Sequence, residues 1–308
     1  MTSNTDLHAG AVAWPEKTRE LQNFVMDSTK WNGFAFRDGD IVIATWSKSG
    51  TTWTQQIVSQ LIFQGDETVF GQAISPWIDF QLTPDARERA EAQTHRRFLK
   101  THLPLDALVF SPKAKYLYVG RDARDVAWSF HHHLRSFTPA AQQRFAEIAQ
   151  RIGATLPPQA PEDSRAFYKI WLETDTVSSN SFWKNAQGWW DARKLPNVML
   201  LHYANLKADL PGEMRRIAKF LDIAIDEKNL PRMVENCSIE HMRKVSKQSP
   251  LLEEVFVGGG DTFLHKGTNG RWRDVLTAEE IARSDEVAAM NLTPDCAHWL
   301  KTGEGPAD

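Results

Sequence analysis

The sequence predicts a three-layer α/β fold, with a central and mainly parallel sheet flanked by helices. Short apolar runs at Ile41–Thr45, Tyr116–Val119 and Val198–Leu201 alternate with longer stretches of helical periodicity. Runs that are apolar on both faces suit strands covered on both sides. The chain has 308 residues, 42% of them apolar, and 12 tryptophans, enough to bury a large core.

No internal repeat or linker divides the chain, so residues 1–308 read as one domain. It opens with a leader over residues 1–35 that carries a short helix near Glu16–Met26. The run Ile41–Thr45 is the first strong strand, and a helical pattern through Trp53, Ile57, Val58, Leu61 and Ile62 follows its loop. Asp85–Ala92 is a charged helical piece and Arg97–Leu99 a short strand. Tyr116–Val119 is another strand, and Asp122–Leu134 its helix, with Val126 and Phe130 four apart on one face. A helix is expected over Ala140–Gly153 and a proline-rich surface loop over Leu156–Asp163. Phe182–Arg193 has the pattern of an amphipathic helix carrying Trp183, Trp189 and Trp190. The strand Val198–Leu201, the helix Pro211–Leu221, a glycine-rich loop at Val257–Asp261 with the character of a lid, and a closing helix at Glu279–Met290 complete the order.

The formal net charge of −3 gives no reason to expect a nucleic-acid partner. Met1–Gly10 shows no basic-then-apolar signal pattern, and no run approaches the roughly 18 apolar residues of a membrane span. Cys237 and Cys296 lie far apart and suggest neither a disulfide scaffold nor a metal knuckle. A cytoplasmic protein without a membrane partner is the expectation. His131, His132 and His133 do not imply a metal, because consecutive helical positions diverge by about 100°.

The chemistry concentrates where parallel strands should end. Trp46-Ser47-Lys48-Ser49-Gly50-Thr51-Thr52-Trp53 is a small polar turn between a strand and a helix. Free N–H groups at a helix start favour an anion, and Lys48 adds charge. The layout is P-loop-like, although it lacks the Gly-x-x-x-x-Gly-Lys-Ser/Thr order. Lys100-Thr101-His102-Leu103-Pro104 and Gly120-Arg121-Asp122 follow two further strands. His265 to Arg273 is cationic and rich in glycine. Together these groups suit a highly phosphorylated ligand beside a proton-transfer group.

These four segments, in this order, resemble those of the cytosolic-type sulfotransferases that use 3′-phosphoadenosine 5′-phosphosulfate (PAPS), and the chain is identified by that likeness as a bacterial member. The first segment is similar to the family's 5′-phosphosulfate loop and the second to its catalytic histidine segment. Tyr118 to Ser129 is similar to its 3′-phosphate segment, and Lys266-Gly267-Thr268-Asn269-Gly270-Arg271-Trp272 to its late glycine loop. The resemblance implies PAPS as co-substrate, adenosine 3′,5′-bisphosphate as product, and no metal. It makes His102 the general base and places Lys48 on the donor's 5′ side and leaving group, with Lys100 beside the transferring group. Ser49, Gly50, Thr51 and Thr52 would hold the 5′-phosphate, and Arg121, Ser129, Lys266 and the Gly267 backbone the 3′-phosphate. Trp53 and Tyr203 match aromatics near the base. Cys237 and Ile239 stand where the family has threonine and phenylalanine, and His265 where it has arginine.

The acceptor is expected to be a small, hydrophobic hydroxyl compound or an amine, held against Trp77, Phe80, His131, Phe137 and Trp183, within segments 71–84, 131–165 and 175–190. The family's usual dimer motif is not visible before Lys266, so monomer and homodimer both stay open. Two other functions also stay open: a protein of the same fold that binds 3′-phosphoadenosine nucleotides without catalysis, and a magnesium-dependent kinase, which the missing Walker order disfavours.

Overall fold

The computed structural model describes residues 13–175 and 180–305. The first twelve residues of the expected leader, and residues 176–179 of an expected acceptor segment, lie outside these. Four strands form one parallel sheet in the order β2-β1-β3-β4, with β1 at Ile41–Thr45, β2 at Phe98–Thr101, β3 at Lys115–Gly120 and β4 at Val198–His202. Register pairs Ile41 with Phe98 and with Lys115, and Tyr116 with Val198.

The period-two geometry of β1 explains the layers. Ile41 and Ile43 point to one side, into a cluster with Ile57, Val58 and Leu61 of the Thr51–Ile62 helix and with Met214, Ile217 and Leu221 of the Leu210–Leu221 helix. Val42 and Ala44 point to the other side, into a cluster rich in tryptophan that includes Trp46, Trp183, Trp189 and Trp190. A third cluster, with Phe80, Phe145, Val255 and Phe256, lies beyond the sheet. At the opposite end, the buried Arg97 guanidinium donates to Asp40, with Nε 2.9 Å from Oδ1, and ties the starts of β1 and β2 together.

Several expected elements stand with small shifts. The histidine-bearing helix runs Ala123–Arg135 and the next one Pro139–Ile152, and residues 156–163 carry no helix or strand. The Phe182–Asp191 and Ala278–Asn291 helices agree to within two residues.

The helix expected near Glu16–Met26 does not form. Asn23 Oδ1 accepts from the N–H groups of Val25 and Met26, both at 2.8 Å, and turns the chain. The N–H of Thr18 goes to Asp106 O at 2.9 Å, and that of Leu21 to Ser28 Oγ at 2.9 Å. These partners outside the segment replace an internal helical ladder. The expected glycine-rich loop also differs. Gly259–Phe263 is a helical turn, Gly259 and Gly260 are buried, and the Gly259 N–H donates to Phe256 O at 2.9 Å. Helices at Ser164–Thr174, Tyr203–Ala208, Leu230–Asn236, Ile239–Ser246, Pro250–Val255 and Pro294–Thr302 were not anticipated, and the last of these follows the expected closing helix.

Candidate active site

All four strands deliver their carboxyl ends to one cavity of about 850 Å³. The turn after β1 is anchored by Trp46, whose buried ring meets Phe130 and Phe182 and whose Nε1 donates to Asn180 O at 3.2 Å. Lys48 takes the left-handed conformation at φ 68°, and Gly50 follows at φ 122°. Gly50 caps the Thr51–Ile62 helix with no side chain, and a Cβ there would stand 2.9 Å from the Tyr203 ring. The first-turn amides are left to a ligand. Lys48, Gly50, Thr51, Thr52 and Trp53 all line the cavity; Ser49 is buried behind them.

After β2, His102 is buried, and its Nδ1 lies 2.7 Å from the carbonyl oxygen of Thr45. A carbonyl only accepts, so Nδ1 carries the proton and Nε2 keeps its lone pair. The Thr45 hydroxyl lies 3.1 Å from the same nitrogen and 2.6 Å from the Thr51 hydroxyl, which couples the histidine to the phosphate turn. Burial, then Lys100, holds the imidazole pKa well below its usual 6.5. His102 is therefore neutral at pH 7.

The cations beside it are also perturbed. Burial, then Lys100 and Arg121, brings the Lys48 ammonium down to about 7. Burial brings Lys100 down to about 8 against the opposing pull of Asp79. The Lys100 ammonium sits 4.0 Å over the Trp77 ring and that of Lys48 4.7 Å from the Phe263 ring centre. Positive groups crowded into a half-closed site without full counter-charge are poised for an anion.

After β3, Arg121 is buried and stacks 4.1 Å over Tyr203, which follows β4. It donates to Lys48 O at 3.0 Å, to Thr268 O at 3.1 Å, and from two nitrogens to Asn269 Oδ1. Arg121 thus clamps the early turn to the late glycine loop. The Tyr203 hydroxyl donates to Gly267 O at 3.2 Å. Asp125 accepts from the Gly270 N–H at 2.7 Å. Trp53 Nε1 donates to Cys237 O at 2.9 Å, and its ring meets Tyr203 edge-on at 5.3 Å. The Cys237 thiol is buried and its pKa pushed up, so Cys237 contributes volume and a backbone acceptor rather than a thiolate.

Ser129, Ile239, His265, Lys266 and Gly267 line the same cavity. Burial, then His132 and Arg271, brings the His265 imidazole down to about 4, so it carries no charge at neutral pH. These cationic and hydroxylic groups, with the open amides, fit a nucleotide bearing phosphate at both ends.

The apolar end of the cavity is walled by Phe24, Trp77, Phe80, Phe137, Phe145 and Phe256. Trp77 stacks on Phe80 at 4.1 Å and meets His102 edge-on at 4.7 Å, so the apolar wall and the imidazole share a border. Two residues expected there lie elsewhere. Trp183 sits in the core against Trp171 and Phe182. His131 turns to Pro161 O at 2.7 Å, while His132 and His133 line the cavity.

Sequence reasoning missed Thr45, whose carbonyl orients His102, and Asp79, whose carboxylate accepts from Trp31 Nε1 at 3.0 Å and Trp77 Nε1 at 2.7 Å. A backbone acceptor leaves no mark in side-chain identity, and an aspartate two residues after a tryptophan is too common to read. Among the described residues, no group of three or more histidine, cysteine, aspartate or glutamate side chains is arranged to hold a metal ion.

The family model for the sulfotransferase domain matches residues 38–294. The chain belongs to the sulfotransferase family. A glycolipid sulfotransferase of Mycobacterium bovis is 30% identical over 92% of this chain and 94% of its own length. Human sulfotransferase 1C2 is 28% identical over 87% and 88%. Among solved structures, retinol dehydratase in complex with retinol and PAP superposes with a TM-score of 0.69 at 21% identity, covering 87% of this chain and 85% of that one. A mouse sulfotransferase complexed with PAP gives 0.68 at 20% identity, covering 89% and 92%. These structures share the fold. The enzyme is a PAPS-dependent sulfotransferase, and its sheet with flanking helices is the family's fold.

Proposed function

We propose that this sulfotransferase moves the sulfuryl group of PAPS to the hydroxyl, or amine, of a small apolar acceptor, with His102 as general base and Lys48 at the leaving group. The observation that carries the assignment is the His102 contact: Thr45 O fixes the proton on Nδ1 and leaves Nε2 free beside an aromatic wall. In this reading the acceptor O–H gives its proton to Nε2 as the new O–S bond forms. The S–O bond to the 5′-phosphate breaks, and its electron pair leaves with adenosine 3′,5′-bisphosphate. Lys48 and the amides at Gly50–Thr52 meet the charge growing on that phosphate, and Lys100 meets the equatorial charge in transit. Their low pKa values in the free enzyme favour this use, since a bound anion restores the protonated form.

The nucleotide end is proposed at Arg121, Ser129, Lys266 and the Gly267 backbone, with the base between Trp53, Tyr203, Ile239 and the Cys237 strip. The acceptor occupies the end walled by Trp77, Phe80 and Phe137. A relative named for glycolipids supports an acceptor with an apolar body. With this reading go one catalytic domain over residues 1–308, a bacterial and cytoplasmic setting, no nucleic-acid or membrane partner, and a monomer or homodimer.

The test is a transfer assay with PAPS and a panel of phenols, sterols and long-chain alcohols. His102→Ala should lower transfer by about 10²- to 10⁴-fold while adenosine 3′,5′-bisphosphate still binds. Full transfer by that variant would remove His102 from the chemistry. A strict preference for polyanionic glycans would overturn the acceptor proposal.

A further inference from the structure

Arg121 alone is short of donors for a phosphate dianion. A guanidinium carries five N–H groups. Four hydrogen bonds to Lys48 O, Thr268 O and Asn269 Oδ1 already engage it, which leaves one. His265, in the late loop, is uncharged at neutral pH and cannot make good the deficit. Another guanidinium lies close by. Arg271 lines the cavity, and its Nη1 lies 3.3 Å from His265 Nδ1. Its Nε is buried without a hydrogen-bond partner. A buried, unsatisfied donor on a cation is costly unless a ligand completes it.

His265 is itself held in place. Its ring stacks on His132 at 3.8 Å with 16° between planes, and Arg243 donates to its backbone oxygen. His132 is pinned through Nε2 to Thr262 O at 3.1 Å. The stack leaves His265 Nδ1 as a fixed acceptor for Arg271, because a guanidinium can only donate.

We propose that Arg271 is a 3′-phosphate ligand of this enzyme and that His265 is its positioning residue. The proposal rests on the nucleotide end assigned under Proposed function. Arg271 brings a forked donor into the cavity that Arg121 also lines, a pairing suited to a phosphate with three terminal oxygens.

The experiment is calorimetric titration with adenosine 3′,5′-bisphosphate and with adenosine 5′-monophosphate, which lacks the 3′-phosphate. In the parent enzyme the bisphosphate should bind more tightly. Arg271→Gln should weaken the bisphosphate by about 10- to 100-fold, the scale of a charged hydrogen bond, and change the monophosphate by less than about 3-fold. Arg271→Lys should lose less, since it keeps charge without the fork. His265→Ala should weaken the bisphosphate selectively, and His265→Asn, whose Oδ1 can accept from Arg271, should restore most of it. Melting curves confirm that each variant is folded.

Equal losses for both nucleotides, or an unchanged bisphosphate affinity in folded Arg271→Gln and Arg271→Lys, would overturn the proposal. A parent enzyme that does not distinguish the two nucleotides would instead overturn the underlying assignment of the nucleotide end.

Discussion

His102 is oriented by a backbone oxygen, so its tautomer is set by the fold of β1 and not by a neighbouring carboxylate. Burial, then the neighbouring Lys100, keeps the ring neutral against the opposing pull of that contact, and the pH profile should show it. The acid limb of kcat/KM should lie well below pH 6.5, and the alkaline limb should fall as Lys48 near 7 and Lys100 near 8 lose protons in the free enzyme. An acid limb at the ordinary histidine pKa would contradict the burial of His102. His102→Ala should cost about 10²- to 10⁴-fold in kcat, measured at saturating PAPS, with bisphosphate affinity little changed. The two lysines also carry a stability cost. Their folded pKa values lie below the unfolded value of roughly 10.4, so the cost is full below about pH 7 and fades as pH rises toward 10. Lys48→Met should therefore raise the free enzyme's stability at pH 7 by about 1 kcal/mol while transfer is lost. Denaturant unfolding checks this, and a less stable variant would refute it. Sequence motifs made Lys48, Lys100, His102 and Arg121 legible because each is a charged or titratable side chain next to a strand end. Thr45 and Asp79 stayed hidden, since their roles exist only once distant segments meet.

At the scale of elements, β1, β3 and β4 could be read because each is a continuous apolar run between turn residues. The shorter β2 was legible mainly in its first half. Its core residues Phe98 and Leu99 precede Lys100 and Thr101, whose polarity breaks the pattern while the strand continues to pair with β1. The short helices between Tyr203 and Phe263 escaped because each spans eight residues or fewer and gains its stability from tertiary packing, not from a long amphipathic pattern. The acceptor wall escaped in part for a related reason. Phe24, Phe145 and Phe256 come from separate segments, and an aromatic side chain announces burial without saying against what. Trp183 shows the converse, an aromatic in the right segment that faces the core. Two junctions hold the frame that carries the site. Asp40→Ala should leave Arg97 buried and unpaired and destabilise the enzyme by about 3–5 kcal/mol in chemical denaturation. At the other end of the sheet, a Cβ on Gly120 would stand 2.3 Å from the Trp299 ring. Gly120→Ala should displace the neighbouring Arg121 and weaken adenosine 3′,5′-bisphosphate by 10-fold or more, measured by titration of folded variant. An unchanged affinity would mean that Arg121 does not depend on this close approach.

The whole molecule is a parallel sheet whose strands end at one half-apolar, half-cationic cavity. The cationic half is incomplete without an anion, and the free protein should be measurably less stable than the complex. At 100 times its dissociation constant, adenosine 3′,5′-bisphosphate should add about 2.7 kcal/mol, read as a rise in melting temperature that ADP at the same concentration does not match. Among the described residues no helix is long and apolar enough to cross a membrane. The measurement that tests the central claim most directly is calorimetric titration of the purified enzyme with adenosine 3′,5′-bisphosphate, with ADP as the control. Binding at micromolar affinity or tighter, with at least a tenfold preference over ADP, is the predicted result. Weak binding that does not distinguish the two nucleotides would contradict the assignment of Lys48, Arg121 and the late glycine loop to a 3′-phosphorylated nucleotide.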